Sequence, residues 1–440
     1  MLKLKEFLTE ECRNVSQLLN DTLRHAYSVA DGKDFYLECQ RRVTALKLQI
    51  DGADDSDMAT LGLLSERISG LSELITRIER SHIGEFSWPF AECLRRLAID
   101  ICRPQGLPSP DYDPLFFISA EGGLLSYSIS FEPAGNTALD AKKQIFNIVF
   151  PRSLKHSVLL HPILGHEIGH AAYSMPGVSR RLDNEVLDPL LQTGPMRNSG
   201  TLQQWFHDSH QIDVSDDTAS EIYANWLEEY FCDLFGLVLM GPSFVSAHRS
   251  LLRTIDPPGQ ELSETHPPKL ARYWMIDVAM EHLRWNRFGN ESAGAFGDAI
   301  RSLNQSCADA VVGITPVYQV FAEQNIRNAV DGLSAILTQI GEAAYKLPSE
   351  AEIEVMVNRI CEGIPPARVK LTSKDNTDHR LELPETDFRS ILFAGWLAWH
   401  QCKRNSTDLT YSQINRLCDM GLLHLQAIST WKANNSYGSP

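Results

Sequence analysis

The chain has 440 residues, of which 43% are hydrophobic and 22% charged, as is ordinary for a globular protein of two or three domains. Its formal net charge of −16 argues against nucleic acid or an anionic membrane as the main partner, because both bind basic surfaces. The nine cysteines are scattered without a Cys-x-x-Cys pair, which favours reduced thiols over a disulfide scaffold.

Neither targeting nor membrane insertion is indicated by the pattern of apolar residues. The N-terminal residues lack the apolar core and cleavage site of a signal peptide. The longest apolar run, residues 234–245, is broken by Gly236, Gly241 and Pro242, so it is too short to span a bilayer. We therefore expect a cytoplasmic protein without a membrane span.

Residues 1–103 have the spacing of packed helices. Apolar residues recur there at steps of three and four along two neighbouring segments: Tyr36, Cys39, Val43, Leu46 and Ile50, then Leu61, Leu64, Ile68, Leu71, Ile75 and Ile78. Between them, residues 51–56 form a polar turn, which predicts an antiparallel helical hairpin. The hairpin either covers the rest of the protein as an internal bundle, or serves as a surface for a homodimer or a regulatory protein partner.

After a breaker-rich linker at residues 102–110, the pattern changes from helical to extended. Residues 115–119 and 125–131 flank Glu121, Gly122 and Gly123, which predicts a β-hairpin, and residues 145–150 predict a third strand. An exposed edge of this small sheet could pair with an extended peptide.

The sequence His166-Glu167-x-x-His170 lies in a short apolar segment that predicts a helix. Residues four apart on a helix project the same way, so His166 and His170 can offer two imidazole nitrogens to one Zn²⁺ ion. Glu167 is poorly aimed for the same tetrahedron but can act as general base on water. Gly165 and Gly169 allow a neighbouring backbone to approach. The alternative is a core helix whose histidines hydrogen-bond to carbonyl groups.

The segment that follows, residues 184–216, is polar and irregular, and we interpret it as a lid or substrate loop. His207 and His210 within it are spare potential ligands, although isolated histidines in loops are more often plain surface residues.

A second helix is predicted over residues 218–236, and its acids differ in expected role. Thr218 and Glu221 have the spacing of a capping box, which assigns Glu221 to helix capping. Glu229 and Asp233 share one face in an aromatic setting, where carboxylates are costly to bury unless they are paired or bind metal. We expect Glu229 to be the third zinc ligand and Asp233 to orient a ligand histidine. Glu228 points elsewhere and is expected to be solvated.

Helices that supply His-Glu-x-x-His and Glu-x-x-x-Asp resemble those of the gluzincin metallopeptidases. The second helix is most similar to that of the CAAX-prenyl-protease and heat-shock-protease family, which usually has Ala where this chain has Cys232. Residues 265–268, Thr-His-Pro-Pro, with Arg272 following, are similar to a segment of the same family. The resemblance covers residues 145–283. Those relatives are typically attached to membranes, so their membrane substrates do not carry over to this chain.

The resemblance also implies roles for His266 and Arg272. In that family this pair lies beside the zinc, where one of them stabilises the oxyanion or holds the acids of the site. The alternative for His266 is a simple helix-entry residue before Pro267, which suits a first helical turn. Tyr223 is a weaker candidate for contact with the oxyanion.

After residue 290 the pattern is again helical, over residues 293–312, 317–344, 350–362, 388–402 and 412–431. Residues 365–366 and 374–378 mark loops. His379, His400 and His424 have no ligand spacing and are given no catalytic role. This region is expected to be a cover or a partner-binding surface.

Together these features predict a predominantly helical α+β protein, with a zincin-like catalytic domain and small sheet at residues 104–290, between helical regions 1–103 and 291–440. The expected function is that of a soluble zinc endopeptidase in which Glu167 is the general base, acting on protein or peptide substrates. Control by the helical flanks, through a partner or self-inhibition, is a hypothesis. The alternatives are a catalytically silent zinc-binding scaffold and an exopeptidase acting on short peptides.

Overall fold

A computed structural model describes most of the chain. The described residues are 4–23, 32–79, 86–102, 114–122, 127–131, 145–173, 186, 202–210, 213–255, 263–289, 292–308, 321–341, 343–366, 370–374, 378–382, 386–405 and 409–436. They form two compact units, Met1–Lys155 and His156–Pro440. The three-part division expected at residues 103 and 290 stays a prediction about separately folding domains.

The first unit contains four helices in its described residues: α1 (Leu4–Thr22), α2 (Gly32–Gly52), α3 (Met58–Glu79) and α4 (Trp88–Cys102). The predicted hairpin is formed by α2 and α3, and α1 packs against both. In the turn between α2 and α3, Asp54 Oδ1 accepts hydrogen bonds from the Ser56 N–H and hydroxyl, each at 2.8 Å.

A small sheet completes this unit with the strands β1 (Leu115–Glu121), β2 (Ser128–Phe131) and β3 (Ile145–Pro151). Its order is β1-β3-β2, with β1 parallel and β2 antiparallel to β3. The predicted hairpin between the first two strands is therefore wrong. All seven residues of β3 are buried, and so apolar a strand is favoured in the centre of a sheet.

The helices and the sheet of the first unit share one core. Leu115 and Phe117 of β1 and Ile145 of β3 belong to the apolar cluster formed by α1, α2 and α3. The rings of Phe35 and Phe117 pack edge to face at 5.6 Å. All six apolar positions predicted for α3 are buried, as are Cys39, Val43, Leu46 and Ile50 of α2.

The second unit begins with a short 3₁₀ turn, His161–Ile163, and is otherwise mostly helical. Its helices are α5 (Leu164–Tyr173), α6 (Leu202–His210), α7 (Asp216–Met240), α8 (Pro242–Ile255), α9 (Lys269–His282), α10 (Gly294–Ala308), α11 (Glu323–Gln339), α12 (Glu350–Cys361), α13 (Phe388–Asn405) and α14 (Tyr411–Ser436). Two antiparallel strands, β4 (Lys370–Lys374) and β5 (Asp378–Glu382), were not anticipated, because they are short and polar. The chain is a predominantly helical α+β protein, as predicted.

The central helix of the second unit is α7, buried along nearly its whole second half. It packs against α5, α6, α8, α9 and α11. Its C-terminal turn ends at Gly241, which has φ +71° and whose N–H donates to the Leu237 carbonyl at 2.8 Å. A Cβ there would overlap the Tyr345 ring, so the close packing as well as the backbone requires glycine.

The N-terminus of α7 differs from the prediction. The helix begins at Asp216, and the Ser215 hydroxyl caps it by accepting the Thr218 N–H at 3.2 Å. Glu221 is exposed beyond the first turn, so its assignment as the capping acid is wrong. Asp216 and Asp217 occupy the first turn instead, where negative charge complements the helix dipole.

Among the described helices, none is both long enough and apolar enough to cross a bilayer. None of the described cysteines forms a disulfide bond. The compartment in which the protein resides stays a prediction.

Candidate metal centre

Glycines bring the backbones of α5 and α7 together at the site. A Cβ on Gly165 would lie 3.2 Å from the Gly236 Cα, and one on Gly169 would lie 3.0 Å from the Cys232 Cα. A Cβ on Gly236 would lie 2.9 Å from the His166 backbone nitrogen. The two helices therefore approach more closely than larger residues would allow, which confirms the role expected for Gly165 and Gly169.

The predicted ligand atoms converge between these helices. His166 Nε2 lies 3.2 Å from His170 Nε2 and 3.4 Å from Glu229 Oε2, while His170 Nε2 lies 3.4 Å from Glu229 Oε1. Ligands bound to one tetrahedral zinc at 2.0–2.1 Å are separated by about 3.3 Å. The two imidazole nitrogens are thus spaced like ligands of one metal ion, and each of them faces a different oxygen of the Glu229 carboxylate.

The charges and hydrogen bonds of the same atoms also fit a cation. Glu229 is buried, and among the described residues its Oε2 has no hydrogen-bond donor, although an orphaned buried carboxylate oxygen is costly. Two imidazole Nε2 atoms and the Arg272 guanidinium face this carboxylate, and a metal ion bound by the imidazoles would add a further positive charge beside it. The donor set of two imidazoles and one carboxylate suits zinc.

Asp233 orients the first ligand histidine, in the position that the sequence analysis expected. Its Oδ1 lies 2.9 Å from His166 Nδ1, which leaves Nε2 free to face the metal position. Burial alone would raise the pKa of Asp233, but the Arg272 guanidinium above all holds it well below the usual value, so the group is a carboxylate.

Arg272 of α9 ties the two acids of α7 together. Its Nε donates to Asp233 Oδ2 and its Nη2 to Asp233 Oδ1, both at 2.7 Å, and its Nη1 lies 3.3 Å from Glu229 Oε2. The resemblance implied that this residue either stabilises the oxyanion or holds the acids of the site. Its contacts are those of the second role. A buried bidentate guanidinium also offsets the cost of burying two carboxylates.

Glu228 orients the second ligand histidine, and the expectation that it is solvated is wrong. Its Oε1 lies 2.7 Å from His170 Nδ1, and the side chain is only 33% exposed. Although Glu228 and Glu229 are adjacent on α7, the former reaches the outer nitrogen of His170 and the latter faces its inner nitrogen. This role could have been predicted, because a histidine that binds metal through one ring nitrogen usually needs a hydrogen-bond partner at the other.

Protonation of the histidines reflects these partners. Burial lowers the pKa of His166, but its contacts with Asp233 and Glu229 outweigh this effect and raise the pKa above the usual 6.5. The pKa of His170 is likewise raised, because its contacts with the Glu228 and Glu229 carboxylates outweigh burial. In the absence of metal, protons thus occupy the position that a cation would take.

Glu167 lies within electrostatic reach of His166, His170 and Glu229. Burial raises the pKa of its carboxyl above 4.5, although His166 and His170 oppose the rise. The side chain is partly exposed, which a proton shuttle to a substrate requires.

His266 and Tyr223 occupy different positions. The His266 side chain is 59% exposed, its Nε2 lies 3.7 Å from Glu229 Oε1, and its Nδ1 lies 2.8 Å from the Thr265 hydroxyl. Tyr223 is half-buried, and burial raises its pKa to about 12, so its hydroxyl keeps its proton. Within the described part of the chain, Tyr223 makes no hydrogen bond to the three ligands, and its oxyanion role stays a prediction.

The spare histidines of the 184–216 segment fall partly within described structure. His207 lies on α6, is exposed and pairs with Asp213 at 2.7 Å, as a surface residue does. The side chain of His210 lies outside the described residues.

Cys232 is an alternative ligand that the sequence analysis treated only as a departure from a family pattern. One ligand atom from each of His166, His170 and Cys232 lies within 4.8 Å of the others. Cys232 is fully buried, and burial raises its pKa to about 12, so it is a neutral thiol in the absence of metal. The third position beside the two histidines can therefore be filled by the Cys232 sulfur or by a Glu229 oxygen.

No protein-family model, no curated protein and no solved structure matches this chain. The functional argument therefore depends on the metal centre itself.

Proposed function

We propose that this protein is a zinc-dependent peptidase that uses Glu167 as its general base. The proposal depends above all on the convergence of His166 Nε2, His170 Nε2 and the buried Glu229 carboxylate, and it takes Glu229 rather than Cys232 as the third ligand. Three protein ligands leave a fourth position open, as in catalytic rather than structural zinc sites. When bound, zinc would supply a Lewis acid that polarises a carbonyl group and lowers the pKa of water toward neutrality.

The side chains around this position have complementary tasks. Glu167 accepts a proton from water as the peptide carbonyl is attacked and then donates it to the leaving amine. A raised carboxyl pKa supports both transfers, because the acid and base forms become closer in free energy at neutral pH. His266, at the exposed rim beside Glu229, is the group we propose to donate a hydrogen bond to the carbonyl oxygen.

A catalytically silent zinc site is the second candidate, and Cys232 is the observation that favours it. If the Cys232 thiolate filled the fourth position, four protein ligands would close the tetrahedron and exclude water. Against this, a structural site has no need of a carboxylate base, yet the Glu167 carboxyl interacts electrostatically with both histidines and has a raised pKa. The expectation of an exopeptidase acting on short peptides also stays open.

The test compares wild type, Glu167→Gln and the control Glu66→Gln, which makes the same change on an exposed face of α3. Zinc content is measured by elemental analysis, and cleavage of a mixed lysate is measured by mass spectrometry of new N-termini. We expect one zinc in all three proteins and a ~10²–10⁴-fold loss of cleavage in Glu167→Gln only.

Other outcomes separate the candidates. Zinc without cleavage in all three proteins would favour the silent site, and the absence of zinc from wild type would remove the basis of both.

A further inference from the structure

A second buried histidine, His248 of α8, contacts the metal centre through Asp233. His248 is fully buried, and its Nε2 lies 3.1 Å from Asp233 Oδ1. Its ring stacks on Phe244 at 5.1 Å and meets the edge of Tyr273 at 6.3 Å. No motif pointed to this residue, because it lies 15 positions after Asp233 on another helix.

The environment of His248 selects one tautomer. Burial lowers its pKa to about 4, despite the nearby Asp233 carboxylate, so the imidazole is neutral at neutral pH. Neither ring nitrogen has a well-aligned hydrogen bond to any described residue. If the proton were on Nδ1, the lone pair of Nε2 would face a carboxylate oxygen and a buried N–H would lack an acceptor. With the proton on Nε2, an N–H instead of a lone pair lies 3.1 Å from the Asp233 carboxylate, which is the electrostatically favoured arrangement.

With that tautomer, three groups converge on one oxygen. Asp233 Oδ1 is approached by His166 Nδ1 at 2.9 Å, by Arg272 Nη2 at 2.7 Å and by His248 Nε2 at 3.1 Å. Arg272 also holds the other oxygen. The direction of Oδ1 decides how the His166 ring is turned, and therefore where its Nε2 points.

We propose that His248 is a positioning residue for the metal centre: its Nε2–H fixes Asp233 Oδ1, which orients the His166 imidazole toward zinc. The inference rests on the proposed zinc site but not on peptidase activity. His248 touches neither the metal position nor substrate, so its removal acts through the affinity and geometry of the site.

The test replaces the ring with residues that differ in where they carry a donor. His248→Gln can place an amide N–H near the Nε2 position, His248→Asn places one near Nδ1, and His248→Phe keeps the stacking without a donor. His400→Phe is the matched control, since His400 of α13 is a partly buried histidine that pairs with Ser302 of α10 and not with Asp233. The measurements are zinc dissociation constants by chelator competition, the visible spectrum of the Co²⁺ form, and thermal unfolding without metal.

We expect His248→Phe to weaken zinc binding about 10-fold, at the lower end of the effect of losing an outer contact. The Co²⁺ spectrum should shift, while His248→Gln should restore both properties and His400→Phe should leave them unchanged. Should the Phe variant fail to fold, the contrast between Gln and Asn still decides, because only Gln should retain tight binding.

Equal affinities and spectra for wild type and His248→Phe, or equal losses for Gln and Asn, would overturn the proposal while leaving the zinc site standing. A wild-type protein that binds no zinc would instead remove the proposed function and this inference together.

Discussion

Two adjacent glutamates show how finely the metal centre depends on side-chain direction. Glu228 and Glu229 differ by one position on α7, yet one contacts the outer nitrogen of His170 and the other faces its inner nitrogen. Their sequence neighbours could not separate these roles, because a glutamate side chain spans the distance from either position once α5 is close. The rotamer, and with it the role, depends on where the histidine lies.

The identity of the third ligand leads to a prediction at the residue scale. Glu229→Ala should weaken zinc binding by more than the about 10–100-fold that loss of an outer contact costs, because a direct ligand is lost. Cys232→Ala should retain zinc, since the thiol is a neutral, buried neighbour in the assigned site. Chelator competition measures both affinities. Tight zinc binding by Glu229→Ala together with weak binding by Cys232→Ala would reverse the assignment.

Zinc affinity should also depend on pH. The pKa values of His166 and His170 are raised above the usual 6.5, so the metal-free protein holds protons that zinc must displace. Affinity should therefore fall as pH decreases and rise through pH 6.5 and beyond, by up to about 100-fold per pH unit when two protons are released. Dissociation constants measured between about pH 6 and 8 test this, and constant values across that range would contradict it.

At the scale of elements, the packing of α5 on α7 determines whether the ligands meet. Gly236 is surrounded by the Phe244 ring, 2.6 Å from the position of an added Cβ, and by the His166 backbone nitrogen at 2.9 Å. In the sequence, Gly236 only interrupts an apolar run, whereas in the structure it is a residue of α7 that contacts the backbone of α5. A periodic pattern does not show which helix face another backbone will approach.

The contact at Gly236 can be tested with alanine. Gly236→Ala should destabilise the protein by about 1–3 kcal/mol, since the backbone of α5 and the Phe244 ring must move. It should weaken zinc binding as well. Gly70→Ala is the control, because Gly70 lies on α3 with nothing within 4 Å and should stabilise by about 0.5–1 kcal/mol. Thermal unfolding and zinc titration of both variants check this, and a neutral Gly236→Ala would show that the helices can separate.

Helices near the C-terminus contact the chain just before α5, the helix that carries His166 and His170. The Leu159 N–H donates to Asn415 Oδ1 of α14 at 3.0 Å, and the Leu159 carbonyl accepts from Trp396 Nε1 of α13 at 2.9 Å. The C-terminal helices were expected to be a cover or a partner surface. They also hydrogen-bond to the chain just before α5. Their role in binding a partner stays a prediction.

The division into two units predicts which truncations succeed. All proposed ligands lie within His156–Pro440, so a fragment starting at His156 should bind one zinc with wild-type affinity. A fragment starting at Arg103 should aggregate, because β1 and β3 would lose the apolar core that they share with α1, α2 and α3. Size-exclusion chromatography and zinc content distinguish these outcomes. Loss of zinc from the fragment starting at His156 would show that the first unit is needed for the site.

Local sequence patterns predicted the helices of this protein and the side chains of its candidate metal centre. Periodicity predicted most helices, and the positions of His166, Glu167, His170, Glu229 and Asp233 follow from helical spacing together with the cost of burying charge. Only the tertiary structure decided the strand order of the sheet, the partner of Glu228, the place of Arg272 and the approach of His248. These depend on contacts between segments far apart in the chain, whose geometry no local pattern encodes.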